Sequence, residues 1–296
     1  MRTSVTDIKQ KKSKSEKIVA VTAYDYSTAK ICDTSGVDMI LVGDSAGMVM
    51  LGYSSTIPVT VDEMLVFCRG VVNGSKNALI VADMPFGSYQ PDLSLAFSNA
   101  VRFIKLGCNA IKIEGGREVA PLVRNLTQNG VPVMGHIGLK PQTSPLWEGY
   151  KIQGKSFNAA IDLLHDAMEL EKAGAFSIVL EMVTAESAEK ISKAVSIPTI
   201  GIGSGNKCDG QVLVLHDLLG LYDDIKPKFA KRYADSHTLF SKAVASYANE
   251  VKSGGFPDPT HTFSMPPEEL KKFEEYLLTS LKTGEKERDG DRQSAI

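Results

Sequence analysis

The chain has 296 residues, 43% hydrophobic and 23% charged, with a formal net charge of -2. That length suits one large barrel domain or two modest domains, and the composition is that of a globular protein rather than a disordered or disulfide-rich one. A pI near 6.2 leaves no basic field to gather phosphates, which argues against nucleic acid as a partner. No apolar run reaches the roughly 20 residues of a bilayer span, so no membrane partner is expected. The polar start from Met1 to Lys17 lacks a signal core and predicts a short helix or frayed terminus. Cys32, Cys68, Cys108 and Cys208 are scattered, which predicts reduced thiols in a cytoplasmic protein.

From Ile18 onward, short aliphatic runs alternate with longer stretches of helical periodicity. Ile18–Thr22, Met39–Val42, Ala78–Ala82, Ala110–Ile113, Val131–Met134, Phe176–Leu180 and Pro198–Ile200 read as strands buried on both faces. Between them, Asp62–Val72, Leu93–Leu106, Val119–Asn129, Asn158–Ala173 and Ala185–Ala194 carry apolar residues at helical spacing. Gly107, Gly130 and Gly174 stand where helices stop. Val212–Leu215 is the candidate eighth strand. With it the fold class is an α/β (β/α)8 barrel, and without it an open doubly wound sheet. Lys226–Val251 predicts a helix, Gly254, Gly255, Pro257 and Pro259 break it, and Pro266–Leu281 predicts another. Lys282–Arg292 is too charged to offset its ordering entropy and is expected to be disordered.

Parallel barrels place active sites at the carboxyl ends of their strands. Here the residues following the aliphatic runs are acidic: Asp44, Asp83, Glu114 and Glu181. Any one of them read alone serves equally well as a helix cap. Several converging carboxylates, however, repel one another unless a cation or a shared proton intervenes. Oxygen ligands favour a hard ion such as Mg2+, with manganese and cobalt open, and no His or Cys cluster points to zinc. Lys112 and Glu114 are two apart and share a strand face. Lys112 is therefore either an internal ion-pair partner or a cation for a substrate carboxylate or enolate oxygen. His136 follows Val133-Met134-Gly135 and either reaches substrate or makes a structural hydrogen bond, and His216 beside the uncertain eighth strand carries a weaker case. The glycine-rich run Gly201-Ile202-Gly203-Ser204-Gly205-Asn206 stands where barrels often build a phosphate site, although its glycines equally serve a tight turn.

Several ordered motifs resemble the ketopantoate hydroxymethyltransferase family: Thr22-Ala23-Tyr24-Asp25-Tyr26, Val42-Gly43-Asp44-Ser45, Pro58-Val59-Thr60, Ala82-Asp83-Met84-Pro85-Phe86, Lys112-Ile113-Glu114-Gly115-Gly116 and Gly135-His136-Ile137-Gly138-Leu139. Gly149-Tyr150-Lys151-Ile152-Gln153-Gly154, Leu180-Glu181, Gly201–Asn206, Asp209-Gly210-Gln211 and Pro227-Lys228-Phe229 continue it. The resemblance covers roughly residues 5–262 and implies a TIM barrel of the phosphoenolpyruvate/pyruvate type, with a short N-terminal helix and a catalytic domain over residues 1–262; the helical, charged extension over 263–296 departs from the family pattern. It implies hydroxymethyl transfer from the co-substrate 5,10-methylenetetrahydrofolate to 3-methyl-2-oxobutanoate, giving 2-dehydropantoate for pantothenate synthesis, by a homo-oligomer, specifically a decamer. It assigns Asp44, Asp83 and Glu114 to one Mg2+ per subunit, directly or through water, and Asp44, Ser45, Asp83 and Lys112 to the oxo acid. Glu181 becomes the catalytic base; His136, Gly203 and Ser204 are secondary candidates. The weighed alternatives are a magnesium-dependent carbon–carbon lyase of the isocitrate lyase and phosphoenolpyruvate mutase type and a non-catalytic barrel binding folate or oxo acid. Against the lyase, Cys208 lies in Asn206-Lys207-Cys208-Asp209, not in that family's loop motif. Against the binding barrel, none of the expected acids is missing.

Overall fold

A computed structural model of the chain describes residues 2–90, 92–143 and 151–293, with side chains through 280. Gly149 and Tyr150 of the family-like motif lie outside the described residues. Eight strands run as β1 (Ile18–Thr22), β2 (Met39–Val42), β3 (Leu79–Asp83), β4 (Ala110–Glu114), β5 (Val133–Gly138), β6 (Ser177–Glu181), β7 (Thr199–Ile202) and β8 (Gly210–Leu213). They pair in chain order, all parallel, and β8 returns to β1 to close a barrel. Closure excludes the open sheet.

The eighth strand begins at Gly210, two residues before the apolar run that predicts it. Gly210 and Gln211 carry no apolar signal, yet both pair with β1 and β7. The fifth strand is displaced as well: it spans Val133–Gly138, so His136 lies inside the strand instead of following it. Glycines at 135 and 138 interrupt the apolar pattern but not the hydrogen-bond ladder. Asp83, Glu114 and Glu181 are likewise the last residues of their strands.

The helices are α1 (Val5–Ser13), α2 (Tyr26–Thr34), α3 (Ala46–Leu51), α4 (Val61–Gly74), α5 (Leu93–Leu106), α6 (Ala120–Gln128), α7 (Phe157–Lys172), α8 (Ala185–Ala194) and α9 (Leu215–Leu219). Their starts follow local chemistry. Thr60 and Glu63 form a reciprocal capping box on α4, while Asp25, Asp92 and Ser156 cap α2, α5 and α7 through their side chains. Gly107 ends α5 in the left-handed conformation.

Strand side chains alternate between two cores. Ile40, Val42, Ile80, Ala82, Ile111, Ile113, Ile178 and Leu180 pack outward against the helices. Ala20, Met39, Leu41, Leu79, Val81, Ala110, Met134, Val179, Ile200 and Val212 fill the barrel. Ile8 of α1, fully buried, joins that inner cluster. Its helix is tied to the N-terminal end of the strands: Lys12 donates to the carbonyls of Ser192 and Ile197 and pairs with Asp209 at 2.9 Å. This end is sealed, so the open chemistry belongs to the other.

The chain divides into two compact units, Met1–His237 and Thr238–Ile296. The second comprises most of α10 (Ser236–Ser253), a turn at Pro259–His261 and α11 (Pro267–Gln293). Phe256 packs edge-to-face against Tyr247, with ring centroids 5.5 Å apart, and lies tilted against His261 at 5.7 Å. The final helix is described to Gln293, and its Glu, Lys and Arg residues have high intrinsic helix propensity.

Candidate active site

Barrel register brings the predicted residues together. Asp83 is the cross-strand partner of Lys112, and Glu114 that of His136. In parallel strands such partners point the same way, here inward. Glu181 ends the next strand opposite Gly138. Gly138 has a φ of 96°, and a Cβ there would collide with the carbonyl of Glu181, so glycine is required for that approach. Met182, next to Glu181, also takes a positive φ, 48°, a conformation costly for a non-glycine residue. It turns the chain sharply at the strand end.

None of the four acids caps a helix. The caps of the following helical segments are Ser45, Asp92, Gly116 and Thr184. Asp44, Asp83, Lys112, Glu114 and His136 are each no more than 5% exposed, so solvent does little to screen their charges from one another. Lys112 Nζ lies 2.8 Å from Asp83 Oδ1 and 3.7 Å from Glu114 Oε1. The backbone N–H of Asp44 donates to Asp83 Oδ2 at 3.2 Å.

Three carboxylates against one ammonium leave an excess of negative charge. Burial, together with repulsion from Asp83 and Glu114, pushes the Asp44 carboxyl well above its ordinary pKa. Burial raises Asp83 too, against the pull of Lys112. Burial would lower Lys112, but Asp83, Glu114 and Asp44 outweigh it and hold the amine protonated. Burial opposes ionisation of Glu114, yet Lys112 and His136 keep that carboxyl below its ordinary value.

A divalent cation matches this excess, and oxygen-only donors suit a hard ion. Among the described residues, no three His, Cys, Asp or Glu side chains converge closely enough to hold an ion. The Lys112 ammonium bridges Asp83 and Glu114, and Gln142 bridges Glu114 and Asp44. The charge excess and the oxygen donors suit a hard divalent ion, for which Asp44, Asp83 and Glu114 would be the ligand candidates.

His136 joins this group to Glu181. Its Nδ1 lies 3.2 Å from Lys112 Nζ and 3.4 Å from Glu114 Oε1, and its Nε2 lies 3.2 Å from Glu181 Oε2. In the neutral ring, an ammonium donor at Nδ1 leaves the proton on Nε2, facing Glu181. Burial and Lys112 disfavour the imidazolium, but Glu114 and Glu181 outweigh them and raise the pKa of His136. The Glu181 side chain keeps 16% of its surface exposed, unlike the sealed carboxylates beside Lys112.

Ser45, expected to contact the oxo acid, has its Oγ 2.8 Å from the Tyr24 hydroxyl. Ser204 donates to the Leu180 carbonyl and accepts from the Val183 N–H, tying the loop after β7 to the end of β6. Gly203, at φ 65°, packs against Phe229. His216 is buried on α9 with its ring 5.5 Å from that of Tyr24. Sequence reasoning missed Gln142 and Tyr89. Gln142 donates to Asp44 Oδ2 and the Met84 carbonyl, both at 2.9 Å, and the Tyr89 hydroxyl donates to Gln142 Oε1 at 2.8 Å. The sole signal for Gln142 was its place just beyond a strand end.

The family model for ketopantoate hydroxymethyltransferase matches residues 2–259. This chain belongs to that family. It is 53% identical over 277 residues to a 3-methyl-2-oxobutanoate hydroxymethyltransferase of Nitrosopumilus maritimus (strain SCM1), covering 94% of this chain and 99% of the relative. Another so named, from Carboxydothermus hydrogenoformans, is 52% identical, with 92% and 99% covered. Among solved structures, 2,3-dimethylmalate lyase superposes with a TM-score of 0.57 at 14% identity, covering 96% of this chain and 99% of that one. A phosphonopyruvate hydrolase complex with oxalate and Mg++ superposes at 0.58 and 11% identity, with 96% and 99% covered. At such identities the likeness establishes the barrel fold alone. All four cysteines are free and buried, so Cys208 offers no exposed thiol for lyase chemistry.

Proposed function

We propose that the chain transfers a hydroxymethyl group from 5,10-methylenetetrahydrofolate to 3-methyl-2-oxobutanoate, forming 2-dehydropantoate. The observation that carries this reading is the separation of two kinds of carboxylate at one barrel mouth. Asp44, Asp83 and Glu114 are sealed around Lys112, while Glu181 stands apart, accessible and held by His136. Enolising an oxo acid needs both: a charged cradle for the carboxylate and carbonyl, and an independent base for the neighbouring C–H.

In this reading Asp44, Asp83 and Glu114 would hold Mg2+, directly or through water, which when bound would supply Lewis-acid polarisation of the oxo acid. Asp44, Ser45, Asp83 and Lys112 contact the substrate, with the Lys112 ammonium countering negative charge on its oxygens. Glu181 takes the proton from C3. His136 Nε2, 3.2 Å from Glu181 Oε2, positions that carboxylate at the barrel mouth. The carbanion-like C3 then bonds to the one-carbon unit, both C–N bonds of that unit to the folate break, one water supplies the hydroxyl oxygen of the product, and protons end on the two folate nitrogens as tetrahydrofolate leaves.

The family match ending at residue 259 supports residues 1–262 as the catalytic domain, with 263–296 as an appended extension. Among the described residues, no helix is long and apolar enough to cross a membrane; the free, buried cysteines support a cytoplasmic location. Exposed Phe240, Val244, Tyr247 and Val251 recur along one face of α10 and support assembly into a homo-oligomer, with a decamer as the specific expectation. The test is turnover: purified protein with both substrates and Mg2+ yields 2-dehydropantoate by mass spectrometry, and chelation stops it. Absence of product with the metal present would overturn the reading.

A further inference from the structure

Asp83 and Glu114 are aimed by the strands that end on them, but Asp44 lies two residues beyond β2. Backbone pairing therefore does not orient its carboxylate. Gln142, fully buried on the turn after β5, makes the contacts that do. Its amide nitrogen gives one hydrogen bond to Asp44 Oδ2 and one to the Met84 carbonyl, both at 2.9 Å. Its oxygen faces the Tyr89 hydroxyl at 2.8 Å. Its backbone N–H donates to Glu114 Oε2 at 3.1 Å.

This network permits one orientation of the amide. Flipping it would set the Gln142 oxygen against a carboxylate and a carbonyl, acceptor against acceptor, and leave the nitrogen facing the hydroxyl. Tyr89 is itself buried and lies 3.1 Å from the Glu114 carbonyl, so the acceptor side is anchored to the same strand end. One residue thus restrains carboxylates from two different strands, at sequence separations of 98 and 28 residues. Each occupied oxygen fixes which lone pairs the carboxylate presents elsewhere.

We propose that Gln142 is a positioning residue for the metal site: its side-chain amide and its backbone N–H orient Asp44 and Glu114, and Tyr89 fixes that amide. The inference rests on the reading that these carboxylates hold a divalent ion. Hydrogen-bonding partners one step beyond a metal's own ligands typically change affinity by 10–100-fold when removed.

The test uses the full chain and Mn2+ alone as the probe. Free ion is counted by electron paramagnetic resonance, and the spectrum of the bound ion reports its symmetry. Gln142→Leu keeps the volume and removes the amide, and is expected to weaken Mn2+ binding by about 10–100-fold with a changed spectrum. Tyr89→Phe leaves the amide in place but unanchored, and is expected to weaken binding by a smaller factor in the same direction; it serves alone if Gln142→Leu does not fold. Unfolding midpoints measured without metal identify folded variants. Wild-type affinity and spectrum in both variants would overturn the proposal. Absence of Mn2+ binding in the wild type, or undiminished binding in Asp83→Asn, would instead overturn the metal reading beneath it.

Discussion

At the N-terminal end of the barrel each acid is matched, whereas at the C-terminal end three share a single lysine. Asp33 accepts from Ser75 Oγ at 2.7 Å, from the N–H groups of Asn77 and Ala78 at 2.8 Å each, and from Asn77 Nδ2 at 2.9 Å. Asp38 pairs with Lys11 and accepts from the Val19 N–H; Asp209 pairs with Lys12 and accepts from Thr199. These bonds join helix ends to strand starts, and each of the three carboxylates has a lysine or several neutral donors to itself. At the opposite end, Lys112 serves Asp83 and Glu114 together, and the crowding reaches Asp44. The same residue type thus stabilises the fold at one end, while at the other its surplus charge is available to a ligand.

Substitutions at the two ends should separate activity from stability. The largest effect is expected from Glu181→Gln: a loss of about 10²–10⁴-fold in kcat, the usual contribution of a general base, with an unchanged unfolding midpoint. Denaturation that tracks the lost rate would break the assignment. Next comes Asp33→Ala, which leaves buried donors without an acceptor and costs on the order of 3 kcal/mol in urea unfolding, while kcat at saturating substrate stays within about twofold.

Asp44→Asn should have the opposite sign. In metal-free buffer it relieves burial and repulsion of a crowded carboxylate, raising stability by about 1 kcal/mol while divalent-ion binding falls. A loss of stability there would show that the C-terminal acids are as well balanced as those below.

The smallest effect is a pH slope. Ser75, Asn77 and Ala78 outweigh the burial penalty and hold the Asp33 carboxyl below the ordinary value of 3.8. Its contribution is therefore complete above that value and lost as pH falls below it, toward the depressed folded pKa. Urea midpoints of wild type and Asp33→Asn should run parallel from pH 5 to 7 and converge under acid.

The difference between the two ends also marks what the sequence made legible. Aliphatic runs such as Met39–Val42 and Phe176–Leu180 show a parallel sheet because burial on both faces leaves no alternation. Acids that end such runs inherit their direction from the strand, which is why Asp83, Glu114 and Glu181 could be read as one mouth. β5 and β8 were misplaced where Gly135, His136, Gly138, Gly210 and Gln211 replace aliphatic side chains; backbone pairing, which does not depend on them, carries the strands through. Gln142 and Tyr89 were not legible, because their partners lie across turns whose conformation no periodicity encodes. The matched acids at the N-terminal end were equally hidden, since Asp33 meets Ala78 only after α2, β2 and α4 have packed.

The most direct test of the central claim is hydrogen exchange at C3 of 3-methyl-2-oxobutanoate in deuterium oxide, followed by NMR with and without Mg2+. The charge separation at the barrel mouth predicts exchange that needs the metal, disappears in Glu181→Gln and persists in Asp33→Asn. Exchange that continues undiminished in Glu181→Gln would contradict the assignment of the base and, with it, the division between sealed and accessible carboxylates.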